Sequence, residues 1–338
     1  MKHGLLALAI AFGTLTSQDV RAQGVDTVVA DLNYPWDVEA SDGAFYITEK
    51  SGDIVVVRDG AVERFPVVTS EPILDDRGGG LLGLALLPDF DETGRVVLYQ
   101  HYGTTDRRLN RVVEAELREG AWHETRVLVD AIPGHPLYNG GRVAIGPDGM
   151  LYITTGWTED RDRPQNLDSL AGKILRVTLD GGIPSDNPFP GSPIWSLGHR
   201  NPQGIAWDSG GQLFAAEHGQ SGHDEFNRID AGGNYGWPLI QGDQTRDGLH
   251  TPIAHSGGRT WAPSGLAWDG TRLLLAGLKA QGIVALQPDD DQPAYIAYPA
   301  DDRLRDVLVV DGTVYAITTN RSPRRNGASD DRLIRFTP

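Results

Sequence analysis

Hydrophobic and polar positions alternate with a period of two over much of this chain, and turns rich in Asp and Gly interrupt the alternation again and again. Because successive side chains of a strand point to opposite faces, each alternating run predicts a half-buried β-strand. One unit recurs: an Asp/Gly turn, an alternating strand, a loop and a second strand. It occurs as Ser41-Asp42-Gly43 leading into Ala44-Phe45-Tyr46-Ile47 and then Asp53-Ile54-Val55-Val56-Val57. It returns at Arg95-Val96-Val97-Leu98-Tyr99 with Asn110-Arg111-Val112-Val113, and at Pro147-Asp148-Gly149-Met150-Leu151-Tyr152-Ile153 with Lys173-Ile174-Leu175-Arg176-Val177. Three more begin at Gly210-Gly211-Gln212-Leu213-Phe214, Asp269-Gly270-Thr271-Arg272-Leu273 and Asp311-Gly312-Thr313-Val314-Tyr315, the last ending in Arg332-Leu333-Ile334-Arg335-Phe336.

Units of roughly 40–60 residues cannot each bury their own apolar face, and a ring of four-stranded sheets buries them together. The predicted fold is therefore all-β, a six-bladed β-propeller with four-stranded blades, spanning residues 23–338 as one domain. A β-sandwich gives no reason for six alike units. No amphipathic helix of ordinary length interrupts the pattern. Loops from several blades gather at one end of a propeller's channel, so functional residues are expected to be scattered in sequence and to lie in loops.

Composition adds three points. The chain has 338 residues with 42 glycines and 21 prolines, a surplus without a collagen period that reads as many turns. Its start has the pattern of an export signal: basic Met1-Lys2-His3, an apolar run over 4–15 too short to span a bilayer, and Val20-Arg21-Ala22 as a cleavage site. Residues 1–22 are accordingly predicted to be removed, leaving a periplasmic or secreted protein with no membrane span. There are no cysteines, so the exported fold is held without disulfides, by packing with or without metal. The formal net charge of −16 argues against nucleic acid as a partner.

Against that acidic background, several basic and amide residues fall in distinctive loop motifs. These are Gly198-His199-Arg200-Asn201-Pro202-Gln203-Gly204, Ala216-Glu217-His218-Gly219, Asp224-Glu225-Phe226-Asn227 and Gly232-Gly233-Asn234-Tyr235-Gly236-Trp237-Pro238. With them, in order along the chain, stand Gly79-Gly80-Leu81-Leu82-Gly83, Gly140-Gly141-Arg142, Trp261-Ala262-Pro263-Ser264-Gly265, Gly277-Leu278-Lys279 and Arg303-Leu304-Arg305-Asp306-Val307. From about Asp31 onward this set resembles the soluble PQQ-dependent glucose/sorbosone (aldose sugar) dehydrogenase family. The resemblance implies an enzyme that oxidises aldoses to lactones with PQQ and Ca2+, passing electrons to an acceptor the sequence does not identify. Sugar preference and oligomeric state are equally open.

PQQ is a flat orthoquinone bearing carboxylates, so its pocket calls for cations, amide donors and a planar wall. The resemblance assigns cofactor binding to Gln165, Arg200, Asn201, Gln203, Lys279, Arg303 and Arg305, with Trp261 as a stacking wall. It assigns calcium to the backbone carbonyls of Gly219 and Gln220, and a structural calcium to carbonyls of Glu225 and Tyr235; hard cations accept carbonyl oxygen readily. The family's usual catalytic histidine, four residues before the arginine of Gly-Gly-Arg, is here Tyr138. Tyrosine begins near pKa 10 and is a poor base, so Tyr138 and the nearby His135 are both candidates for proton abstraction.

Two further positions depart from the family pattern, with Gly78 in place of Glu or Gln and Trp157 in place of an acidic residue. The anion-holding half of the site is thus retained while the sugar-facing half is rewritten. A non-catalytic propeller binding a carbohydrate or protein at the same channel mouth is the alternative. A metal-dependent lactonase lacks a cluster of metal-binding side chains here, and no nicotinamide fingerprint follows a strand and opens a helix.

Overall fold

A computed structural model describes residues 24–320 and 330–337; the expected export signal lies outside the described residues. The strands run in chain order. The first five are β1 (Gly24–Leu32), β2 (Pro35–Ser41), β3 (Ala44–Glu49), β4 (Asp53–Arg58) and β5 (Ala61–Val68). Next come β6 (Leu81–Leu86), β7 (Arg95–Gly103), β8 (Arg108–Arg118) and β9 (Ala121–Pro133), then β10 (Val143–Ile145), β11 (Leu151–Thr154), β12 (Lys173–Val177) and β13 (Ile194–Leu197). They are followed by β14 (Pro202–Trp207), β15 (Leu213–Glu217), β16 (Glu225–Ile229) and β17 (Ala254–His255), and by β18 (Pro263–Trp268), β19 (Leu273–Gly277), β20 (Gly282–Leu286) and β21 (Tyr295–Pro299). The last are β22 (Leu304–Val310), β23 (Thr313–Thr318) and β24 (Asp331–Thr337). Among the described residues helix is limited to a short turn at Phe90–Thr93 and a 3-10 turn at Arg163–Gln165.

Four of the sheets have four strands each, and a larger one has the order β2-β3-β4-β5-β9-β8-β7-β6. That larger sheet is two antiparallel groups of four whose outer strands meet in parallel, Val67 against Trp122 and Val68 against His123. The recurring Asp/Gly-turn strands of the sequence fall on β3, β7, β11, β15, β19 and β23, the second strand of each group. Strand β1 joins β24 antiparallel, with Val25 opposite Phe336, so one sheet holds the beginning and the end of the described chain.

Successive groups touch in a closed circuit, first strand to first strand except where the second strand β11 makes the contact. β2 meets β6, β6 meets β10, β11 meets β14, β14 meets β18, β18 meets β22, and β22 returns to β2. Apolar clusters fill the spaces between neighbouring groups of four strands, including the two groups of the larger sheet, where Tyr46 and Ile54 pack with Leu84 and Trp122. Phe214 and Phe226 of one sheet pack with Leu273 and Val284 of the next, and Ile283 with Ile334 and Phe336. Each of these clusters draws on two neighbouring groups, so burial of the faces depends on groups packing side by side.

Antiparallel order has a direct consequence for function. The start of a first strand and the end of a second strand lie at the same end of each group. The loops entering β2, β6, β10, β14, β18 and β22 therefore share one face with the loops leaving β3, β11, β15 and β19. The unusual motifs occupy these segments.

Candidate active site

A cavity of about 580 Å3 opens at this face. The loops entering first strands, with the opening residues of those strands, contribute Tyr34 and Trp36, Gly78, Leu137 and Tyr138, Arg200, Asn201 and Gln203, Thr260 and Ala262, and Arg303 and Arg305. Loops leaving second strands contribute Lys50, Trp157 and Glu159, the segment 218–221, and Leu278 and Lys279. Lys50, Arg200, Lys279, Arg303 and Arg305 thus face one carboxylate, Glu159, in a chain of net charge −16.

Lys50, buried to 2% exposure, pairs with Asp75 at 3.2 Å, so the two buried arginines are the most informative of these cations. Arg200 is 9% exposed and Arg305 6%. Among the described residues neither pairs with a carboxylate, and the Nε of each has no hydrogen-bond partner. Arg200 Nη1 donates to the His218 carbonyl (3.1 Å), and its guanidinium lies 4.9, 5.5 and 5.3 Å from the rings of Tyr138, Trp157 and Trp237. Arg305 Nη1 donates to Gln203 Oε1 (3.2 Å) and Ser264 Oγ (3.3 Å). Burial, reinforced by Arg303 and Arg142, lowers Arg305 to about 10. Ring faces and neutral oxygens soften such charges but do not neutralise them.

The loop carrying Arg200 is fixed from behind. Glu217, at the end of β15, accepts the Arg200 backbone N–H (2.7 Å) through Oε2. Its Oε1 faces His199 Nδ1 (2.9 Å) and accepts from Asn227 Nδ2 (2.9 Å). His199 in turn stacks on Tyr235, 4.7 Å between centroids. Asn201 Oδ1 accepts the Gly140 N–H (3.0 Å), binding this loop to the next one around the ring.

His218 lines the cavity with Nε2 3.2 Å from Gln203 Oε1. Burial lowers it to about 4; Asp224 opposes the shift, while Arg200 and Arg305 add to it. It is therefore neutral near pH 7. The adjoining loop is tightly wound: a Cβ on Gly219 would lie 2.1 Å from the His223 carbonyl oxygen. Asp224 Oδ1 accepts the Gly219 N–H (3.0 Å), and its Oδ2 accepts from Trp261 and Ala262 (2.7 and 2.8 Å). Among the described residues the carbonyls of Gly219 and Gln220 accept no hydrogen bond.

Of the residues singled out from sequence, Tyr138, Arg200, Asn201, Gln203, Gly219, Gln220, Lys279, Arg303 and Arg305 come together on the cavity. Four others stand away from its surface. Gln165 is occupied by Asn234 (3.0 and 2.8 Å, through its amide nitrogen and oxygen) and by the Trp237 carbonyl (2.8 Å), so it braces the 234–237 turn. Trp261 packs edge-on against Phe226 at 5.7 Å, leaving Tyr34, Trp36, Tyr138 and Trp157 as the aromatic walls. Glu225 and Tyr235 line a separate void of about 10 Å3 behind Arg200, room for one water or ion.

His135 is also off the cavity surface. Its Nδ1 accepts the Leu137 and Tyr138 N–H groups (3.1 and 3.3 Å), and Nε2 faces Glu159 Oε2 at 3.4 Å. Both ring nitrogens are engaged. Burial lowers its pKa, with Glu159 opposing and Arg108 adding to the shift.

The departures from the family pattern form one physical cluster. The Gly78 N–H donates to the Pro136 carbonyl (2.7 Å), and a Cβ there would sit 3.0 Å from the Leu137 backbone. A longer side chain at 78 would displace the 135–138 loop. That loop stacks His135 on Tyr138 (5.1 Å), and Tyr138 meets Trp157 (5.9 Å). Sequence reasoning missed Tyr34, Trp36, Lys50 and Glu159 and gave His218 no role. Position was the available signal, since Tyr34-Pro35-Trp36 enters a first strand as Arg200-Asn201-Pro202 does.

The family model for glucose/sorbosone dehydrogenase matches residues 32–326. The chain belongs to this family of oxidoreductases. It is 29% identical to aldose sugar dehydrogenase YliI of Escherichia coli K12, covering 88% of this chain and 90% of that one. It is 32% identical to quinoprotein glucose dehydrogenase B of Acinetobacter calcoaceticus over 64% of this chain and 52% of that one. The PQQ-bound aldose sugar dehydrogenase of Streptomyces coelicolor superposes with a TM-score of 0.83 at 34% identity, covering 93% and 98% of the two chains. Among the described residues no helix is long and apolar enough to cross a membrane.

Proposed function

We propose that this glucose/sorbosone dehydrogenase is a six-bladed propeller that binds PQQ with calcium in its cavity and oxidises aldose sugars to lactones. The observation that carries the reading is the pair Arg200 and Arg305, both buried without a carboxylate partner at one cavity. Uncompensated buried charge is costly, and an anionic ligand relieves it. A planar quinone carrying carboxylates matches the donors of Arg200, Asn201, Gln203, Lys279, Arg303 and Arg305, with Tyr34, Trp36, Tyr138 and Trp157 as walls. The free carbonyls of Gly219 and Gln220 suit a hard cation, and Glu225 and Tyr235 flank a void that fits a second. When bound, the quinone supplies a two-electron acceptor for hydride. The protein's own part is to hold the sugar against it, exclude water and receive the hydroxyl proton. The periplasmic or secreted destination, the cleaved segment 1–22 and an external electron acceptor belong to the same proposal.

Titration of the purified protein with PQQ and calcium tests it, following the quinone absorbance and then dye reduction with a panel of aldoses. Saturable uptake with aldose-dependent reduction is expected. No spectral change in the quinone would reject the cofactor assignment. Uptake without turnover would favour a non-catalytic binding module, a reading encouraged by the engagement of both His135 nitrogens.

A further inference from the structure

We propose that Glu159 is the proton acceptor of the sugar oxidation, with His135 holding its carboxylate in place; this rests on the cofactor reading above. Among the described residues lining the cavity, Glu159 brings the one carboxylate. Its side chain is 54% exposed while that of His135 is 16% exposed, so the acid faces the open space and the imidazole stands behind it. Tyr138 fills the remaining gap, stacked on His135 and lying under Arg200.

The tautomer follows from the hydrogen bonds. His135 Nδ1 accepts two backbone N–H groups, so the ring proton resides on Nε2 and points to Glu159 Oε2. A neutral imidazole in that state has no lone pair to offer a substrate, whereas the second carboxylate oxygen of Glu159 has. The backbone presenting Glu159 is held in an unusual form. Thr158 and Glu159 have φ of +61° and +58°, the left-handed region that non-glycine residues seldom occupy. Arg163 Nη1 donates to Thr158 Oγ1 (3.0 Å) and the Trp157 N–H to the Arg200 carbonyl (2.9 Å), which hold that turn. Backbone of this kind persists where surrounding contacts over-determine it, often at functional sites.

The step balances. The sugar C1–H bond breaks and its electron pair leaves with the hydrogen as hydride to the quinone. The C1 hydroxyl O–H bond breaks, its proton passes to Glu159, and the oxygen's electrons form the lactone carbonyl. The arrangement also explains why Gly78, Tyr138 and Trp157 depart together. The glycine at 78 leaves room for the 135–138 loop to lie against it, His135 meets Glu159, and Tyr138 with Trp157 forms the wall.

The test uses Glu159→Gln and Glu159→Asp in the full chain. In the quinone-loaded protein, E159Q should lose about 100-fold or more in kcat, the range of general-base catalysis, with KM and PQQ uptake within about threefold of wild type. E159D should recover part of that loss. In the protein without quinone, NMR titration of His135 should show its pKa falling in E159Q, because the carboxylate that favours the imidazolium is gone. Wild-type kcat in quinone-loaded E159Q would overturn the assignment while leaving the cofactor reading intact. An unmoved His135 curve would remove the pairing and the proposal with it. Failure of wild type to take up PQQ would overturn both readings.

Discussion

Two buried arginine sites that share the Trp36 ring have opposite electrostatics. Arg142 lies between carboxylates: its Nη1 is 2.6 Å from Asp37 Oδ1 and 2.7 Å from Asp306 Oδ2. Its Nε donates to the Gln203 carbonyl (3.0 Å), while Asp306 accepts the Val38 N–H (3.0 Å) and Asp37 the Leu84 N–H (2.9 Å). This cluster ties together β2, β6, β14 and β22, four of the first strands. Arg305 is as deeply buried but meets neutral oxygens only, as does Arg200. The Trp36 ring lies 4.5 Å from Arg142 and 5.9 Å from Arg305. The same residue type at similar burial is structural where its charge is met from within the fold. It is functional where the charge is left for something else to meet.

The largest effect should come from breaking the compensated side. Arg142→Met strands Asp37 and Asp306 as buried carboxylates, and urea unfolding should record a loss of about 3–5 kcal/mol. Arg305→Met removes a charge that nothing inside the fold requires, so stability should hold or rise. Its PQQ affinity should fall about 10–100-fold, the worth of a charge-assisted contact. A stability loss in R305M equal to that of R142M would dissolve the distinction.

Acid should act on the cavity through His218, whose folded value near 4 lies below the ordinary 6.5. Between those values the unfolded chain holds a proton that the folded one lacks. Stability contributed by the neutral ring is therefore complete above about pH 6.5 and lost as pH falls toward 4. Urea midpoints at pH 7 and 5 should differ less in His218→Gln than in wild type; equal differences would show that the ring titrates normally. The smallest effect belongs to Arg58 and Asp42, 3.4 Å apart with side chains 47% and 79% exposed. Arg58→Ala should change stability by less than about 0.5 kcal/mol, and a larger loss would mean that pairing matters without burial.

Legibility in the sequence followed the range of the physics. The turn-and-strand units at Ala44, Leu151 and Leu213 were readable because alternation and Asp/Gly turns are local. First strands were harder: Pro202-Gln203-Gly204-Ile205-Ala206 is buried on both faces and does not alternate. The cavity-lining cations Arg200, Lys279, Arg303 and Arg305 were found through their motifs, whereas Trp261 and Gln165 were placed on the cavity although their contacts run to Phe226 and Asn234. Glu159 escaped notice because its significance depends on a histidine 24 residues away turning to meet it.

By itself the sequence determined the strands, their grouping and, through antiparallel order, the face on which the motif loops assemble. Which arginines would be neutralised and which left bare was decided only by tertiary structure. Arg142 and Arg305 look alike in the chain, and their electrostatics depend on carboxylates from remote segments. Folding brings Asp37 and Asp306 to one of them and leaves the other facing open space.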